Sequence, residues 1–197
     1  MAWTFAGAEE TGETATARFT LAADEATRRI WPHDFLAELT VAVGGPQLTL
    51  TLAITNRGAT PLHFTAALHT YLAVDDLAAA TVTGLQGVRY VDSAAGGAEK
   101  IDTLPGVVFG NEVDRIYFAA PAEMQLNIGA GRTTVVRSAG FPDAVVWNPG
   151  AVKGAALADL ELDGYRRFVC IEAAVIEHSV ELAAGKRWYG TQALSAA

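Results

Sequence analysis

From Leu62 to Val74 the chain alternates in character: Leu62, Phe64, Ala66, Leu68, Leu72 and Val74 fall on one face of a strand, and His63, Thr65, His69 and Tyr71 on the other. A solvent-facing strand ordinarily carries Lys and Glu on its polar side. This one carries hydroxyls and two imidazoles, a row suited to a neutral polyhydroxylated ligand or to proton transfer, with His69 as an acid. The same pattern fits a structural histidine on a half-buried strand, so the strand alone leaves both readings open.

Period-two alternation recurs along most of the sequence. Residues 13–22 read as a strand, and residues 23–30 as a single helical turn with Asp24 near its start, stopped by Pro32. Residues 35–43 set Ala37, Leu39, Val41 and Val43 on one side. After a Gly44-Gly45-Pro46 turn, residues 47–56 set Leu48, Leu50, Leu52 and Ile54 against Thr49, Thr51 and Thr55, so the two runs form a hairpin. Beyond Val74, strands are expected at 81–85, 88–92, 113–118, 124–128, 133–137, 144–147, 167–174, 179–182 and 188–194, with one short helix near 154–160. Gly, Pro, Asn or Asp separates them. The pattern predicts an all-β sandwich with large antiparallel sheets.

Length and composition narrow this further. With 197 residues, 51% hydrophobic and 18% charged, the chain suffices for one well-cored domain over residues 1–197. A formal charge of −8 and a pI near 4.9 argue against a nucleic-acid partner, and no basic run suits an anionic membrane. Cys170 is the only cysteine, which excludes an intrachain disulfide or a cysteine metal cluster and fits a reducing compartment. The N-terminus lacks a basic leader and an apolar core segment, and no stretch reaches membrane-spanning length, so the expected location is cytoplasmic.

Six strings then acquire meaning together: residues 30–35 (Ile-Trp-Pro-His-Asp-Phe), 66–71 (Ala-Ala-Leu-His-Thr-Tyr), 84–87 with 90–92 (Gly-Leu-Gln-Gly and Tyr-Val-Asp), 112–117 (Glu-Val-Asp-Arg-Ile-Tyr), 145–149 (Val-Val-Trp-Asn-Pro) and 167–172 (Arg-Phe-Val-Cys-Ile-Glu). In this order and spacing, from about Trp3 to Leu194, the chain resembles the hexose-6-phosphate mutarotases, or glucose-6-phosphate 1-epimerases, of the aldose 1-epimerase and galactose mutarotase superfamily. The resemblance implies a galactose mutarotase-like supersandwich whose concave sheet holds a hexose phosphate, with no metal and no organic cofactor. It implies His69 and Glu172 as the catalytic pair and Asp114 as a substrate-binding carboxylate. Members of that family are usually longer. The resemblance therefore implies an N-terminally shortened chain, without a second active-site histidine and the arginines that hold the phosphate. Smaller departures are Gly150, where a Trp usually follows Trp-Asn-Pro, and Leu72, where an aromatic is common.

Interconverting the anomers of an aldose requires one base, to take the C1 hydroxyl proton, and one acid, to protonate the ring oxygen. Each contributes roughly 10² to 10⁴ in rate. Glu172 suits the base: alternation places it beside Phe168, Cys170 and Ala174 with no adjacent cation in sequence, and burial there raises a carboxyl pKa towards neutrality. The alternative is a buried carboxylate satisfied by backbone donors or an arginine. His69 suits the acid if Asp114 keeps it charged; Asp114 is otherwise a partner of Arg115. Trp147 either stacks on a pyranose or belongs to the core. His63 lies about 20 Å from His69 along the strand and is expected outside the site. Arg115, Arg137, Lys153, Arg166 and Arg167 are unranked candidates for a phosphate. The expected partners are a hexose phosphate or a free aldose, and a second copy of the chain covering open sheet edges. The rival reading is a non-catalytic sugar-binding sandwich.

Overall fold

Alternation becomes pairing in the computed structural model, which describes residues 1–129 and 131–196. In chain order the strands are β1 (Thr4–Thr11), β2 (Thr14–Ala22), β3 (Phe35–Gly44), β4 (Gln47–Asn56), β5 (Leu62–Leu68), β6 (Tyr71–Ala73), β7 (Thr81–Thr83), β8 (Arg89–Asp92), β9 (Ala98–Ile101), β10 (Gly106–Val108), β11 (Val113–Tyr117), β12 (Glu123–Gly129), β13 (Arg132–Ala139), β14 (Asp143–Asn148), β15 (Phe168–Leu182) and β16 (Arg187–Ala196). Helices α1 (Glu25–Ile30) and α2 (Gly150–Ala156) are short. Every pairing is antiparallel. One sheet has the order β1-β2-β3-β4-β16-β13-β12-β7-β10; the other runs β5-β15-β14-β11-β8-β9, with β6 also on β15.

The core lies between the two sheets. Val82, Met124, Leu126, Val136 and Leu194 of the larger sheet meet Leu72, Val113, Tyr117, Val146, Val169 and Ile171 of the smaller one. A second cluster joins Phe35, Ala37, Leu52 and Ile54 to Leu62, Ala173, Val175 and Leu182. Because strand side chains alternate, spending one face of the smaller sheet on this core leaves its other face for different use. The all-β sandwich expected from the pattern is the fold observed.

Local rules account for most elements. The β3–β4 hairpin closes with Gly44 opposite Gln47, and Gly45 supplies the positive φ of 54° that a two-residue turn demands. At α1, the Thr27 amide donates to Asp24 Oδ1 at 2.7 Å and the Asp24 amide donates to Thr27 Oγ1 at 2.8 Å, a reciprocal cap. The differences are informative as well. β1, β9 and β10 escape the alternation pattern because β1 and β9 are edge strands with little burial and β10 is an edge strand of three residues. The runs expected at 167–174 and 179–182 are one strand, β15, whose register against β5 shifts between Val175 and Val180. The short helix starts at Gly150 and not Gly154. No helix among the described residues is long and apolar enough to cross a membrane.

Candidate active site

The free face of the smaller sheet collects the polar and aromatic residues that the strand pattern singles out. Across it Tyr71, Cys170, Trp147 and Asp114 stand opposite one another on β6, β15, β14 and β11. Leu68 faces Ala173 and Tyr71 faces Cys170, the same register on both sides of a two-residue break, so His69 stands opposite Glu172. Residues directly opposite share a face. His69, Glu172, Trp147 and Asp114 are therefore brought together, although 103 positions separate the first two.

His69 Nε2 lies 3.3 Å from Glu172 Oε1, with 50% of the imidazole side chain exposed but only 7% of the glutamate's. Burial pushes the Glu172 carboxyl up to about 7, and the nearby charge of Asp114 adds to the rise. Tyr71 stacks on His69 at 4.9 Å and 18°, and Trp147 meets the imidazole edge-on at 5.5 Å. Phe168 lies tilted against Trp147 at 5.9 Å. The imidazole is thus held by two rings, with an apolar wall beside it. Trp147 belongs to this wall and is half-buried, not part of the core between the sheets.

Asp114 stands one strand beyond Trp147. Its carboxyl is raised by burial first, with Lys153 opposing, and Lys153 Nζ lies 3.8 Å away while donating to Glu112 at 2.6 Å. This corrects two expectations. The carboxylate next to His69 is Glu172 and not Asp114, and the cation beside Asp114 is Lys153 and not Arg115. Alternation sends Arg115 to the core side, where it bonds Asp102 at 3.2 Å and lies over the Tyr90 ring. Of the other basic candidates, Arg137 pairs with Glu123 on the larger sheet, Arg166 with Asp163 and Arg167 with Glu161. Lys153 alone among the five is at the carboxylates of the free face. His63 lines a separate cleft with Trp31, Phe35 and Phe64.

The turn after β14 sets Lys153. Asn148 is fully buried and donates to the Tyr165 and Phe168 carbonyls at 2.8 Å each, while its Oδ1 accepts from the Gly150 amide at 2.9 Å. Gly150 has φ +63°, and a Cβ there would stand 2.6 Å from the Glu112 nitrogen. Only glycine lets α2 start so close to β11. Cys170, on the floor between Trp147 and Tyr71, is fully buried, and its thiol is pushed up by that burial. It is a packing residue.

The sequence signature of the family described as aldose 1-epimerase matches residues 1–195. The chain belongs to the aldose 1-epimerase family. Two curated relatives, from Cenchrus ciliaris and Escherichia coli K12, carry the name "Putative glucose-6-phosphate 1-epimerase"; they are 38% and 32% identical over 85% and 87% of this chain. The chain spans about half of their length, 52% and 57%. Among solved structures, a Salmonella typhimurium protein titled "putative mutarotase" superposes with a TM-score of 0.90 at 28% identity, over 99% of this chain and 64% of that one. HI1317 superposes at 0.79 with 22% identity, which supports the sandwich fold.

Set against this aldose 1-epimerase fold, the residues that strand reading left out are Tyr71, Phe168 and Gln192. Tyr71 had a signal, since it shares the polar row with His69 two positions away. Phe168 had one too, two positions along β15 from Cys170. Gln192 is a polar residue at an inward position of β16, between Gly190 and Leu194, and nothing local marks its partners.

Proposed function

We propose that the chain interconverts the α and β anomers of an aldose or hexose 6-phosphate, with Glu172 as base and His69 as acid. The observation that carries this reading is the 3.3 Å contact between a buried carboxyl and a half-exposed imidazole on the free sheet face. The two oxygens that exchange protons in mutarotation, the C1 hydroxyl and the ring oxygen, are bonded to the same carbon. An acid and a base that serve both at once must stand side by side, as these do.

In the forward step Glu172 takes the C1 hydroxyl proton while His69 gives one to the ring oxygen, and the C1–O5 bond breaks to the open-chain aldehyde. Rotation about C1–C2 presents the other carbonyl face. On reclosure His69 recovers its proton from O5 and Glu172 returns its own to O1, so both groups end as they began. A carboxyl with a pKa near 7 is well matched to this exchange at neutral pH. Trp147 offers an apolar surface to the pyranose. Asp114 accepts sugar hydroxyls at the opposite end, next to Lys153, the best-placed cation for a 6-phosphate. We infer a cytoplasmic enzyme acting as one domain, with a second copy of the chain as partner at an open sheet edge.

Two-dimensional exchange NMR on equilibrated glucose 6-phosphate and on glucose tests the reading through cross-peaks between the anomeric protons. Enhanced exchange with wild type and its loss in Glu172→Gln are expected. Absent enhancement with saturation-transfer contacts retained would replace catalysis by sugar binding alone.

A further inference from the structure

Directly behind the His69–Glu172 pair, the ladder between β5–β6 and β15 is interrupted. The Thr70 amide turns back onto the Leu68 carbonyl at 2.8 Å, so residues 69 and 70 leave the regular pairing. One side chain from the opposite sheet enters this gap. Gln192 on β16 has no exposed surface; its Nε2 donates to the Ile171 carbonyl at 2.9 Å, and its Oε1 accepts from Thr70 Oγ1 at 2.5 Å. Thr70 follows His69 in the chain, and Ile171 precedes Glu172.

A buried amide is costly unless both of its ends are satisfied, and an apolar residue of similar volume would pack at that inward position without the risk. Its neighbours on the inward side of β16 are Trp188, Gly190 and Leu194. A polar group kept there, bonded to both strands where the ladder beside His69 and Glu172 is interrupted, serves geometry more than stability. We propose that Gln192 is a positioning residue: by clamping Thr70 to Ile171 through the core, it fixes the separation of His69 and Glu172 on the far side of the sheet. The proposal rests on the mutarotase reading for its kinetic consequence but not for its geometric one. Gln192 has no exposed surface, so it cannot itself contact a sugar.

Three variants test it: Gln192→Met, which keeps length and volume without the amide; Thr70→Val, which keeps shape without the hydroxyl; and Thr70→Ser, which keeps the hydroxyl. For each, carbon-13 NMR follows titration of the Glu172 carboxyl, nitrogen-15 NMR that of the His69 ring, and exchange NMR gives kcat and KM. A displacement near 1 Å between acid and base lowers turnover about 10²-fold. Gln192→Met and Thr70→Val are expected to lose kcat on that scale at nearly constant KM and to shift the Glu172 titration, while Thr70→Ser restores both. Should Gln192→Met fail to fold, the Thr70 pair decides. Unchanged titrations and kcat in a folded Gln192→Met or Thr70→Val would overturn the clamp. An inactive wild type would sink the mutarotase reading, and the two titrations would still decide the clamp.

Discussion

Glu172 is where burial becomes chemistry. Its carboxyl is raised from 4.5 to about 7 chiefly because water is excluded around it. If it is the base, kcat/KM falls tenfold per pH unit below about 7, where the carboxyl is protonated, and Glu172→Gln lowers turnover by roughly 10² to 10⁴. A flat profile from pH 5 to 8 would remove Glu172 from that role. The same shift carries a stability consequence of definite sign. The folded-state pKa exceeds the unfolded one, so the contribution is fully present below about 4.5 and is lost as pH rises through 7. The full loss is roughly 3–4 kcal/mol at 1.36 kcal/mol per unit, of which about 2–3 kcal/mol falls between pH 5 and pH 8. Glu172→Gln escapes it, and denaturant melts should show the variant gaining on wild type by that amount between pH 5 and pH 8; a gap independent of pH would refute the account. At this scale the sequence was legible where alternation alone decides. His69, Glu172, Trp147 and Asp114 share a face by parity, and the same parity sends Arg115 away from Asp114. Gln192 was not legible, because its meaning lies in Thr70, 122 positions away.

Elements position these residues through a few unforgiving turns. The β14–α2 turn depends on Asn148 satisfying three backbone groups and on Gly150 tolerating φ +63° against the start of β11. Gly150→Ala forces a left-handed alanine and a Cβ into the Glu112 backbone. It should cost about 1–3 kcal/mol in urea unfolding and, by shifting α2, raise KM for glucose 6-phosphate more than for glucose, because Lys153 moves. Equal KM changes for both sugars would separate Lys153 from the phosphate. Strong strands such as β3, β4 and β16 were readable because each runs for ten residues, long enough for a pattern to show. β9 and β10 were not, since three- and four-residue edge strands impose almost no pattern. The expected gap between residues 174 and 179 closed into one strand because Asp143 accepts the Ile176 and Glu177 amides at 2.7 and 2.9 Å, carrying β15 through its irregularity.

For the whole molecule, the two-sheet architecture followed from spacing, but the strand order did not, since sheets are assembled by contacts far apart in sequence. That order decides which edges are open, and the four are unlike. β1 carries Glu9 and Glu10 and a register shift after Phe5, β9 is four residues with Glu99 and Lys100, and β10 is three residues long. Charges, bulges and shortness are the usual protections against edge pairing. β5 is neither short nor rich in charge: seven residues, Leu-His-Phe-Thr-Ala-Ala-Leu, without Asp, Glu, Lys or Arg, paired only with β15 among the described residues, where the extra residues of the register shift lie on β15, and beside a cleft of about 450 Å³ lined by Trp31, Phe35, Ile54 and Phe64. Two identical β5 strands meeting across a two-fold axis bring no like charges together, whereas two β1 strands bring four glutamates. If copies of the chain associate, β5 is therefore the edge that pairs. Sedimentation should then show a concentration-dependent dimer for wild type and a monomer for Thr65→Lys, whose charge sits on that edge and well away from His69 and Glu172, so that mutarotation is retained. A wild type that stays monomeric at high concentration, or a dimer indifferent to Thr65→Lys, would rule this edge out.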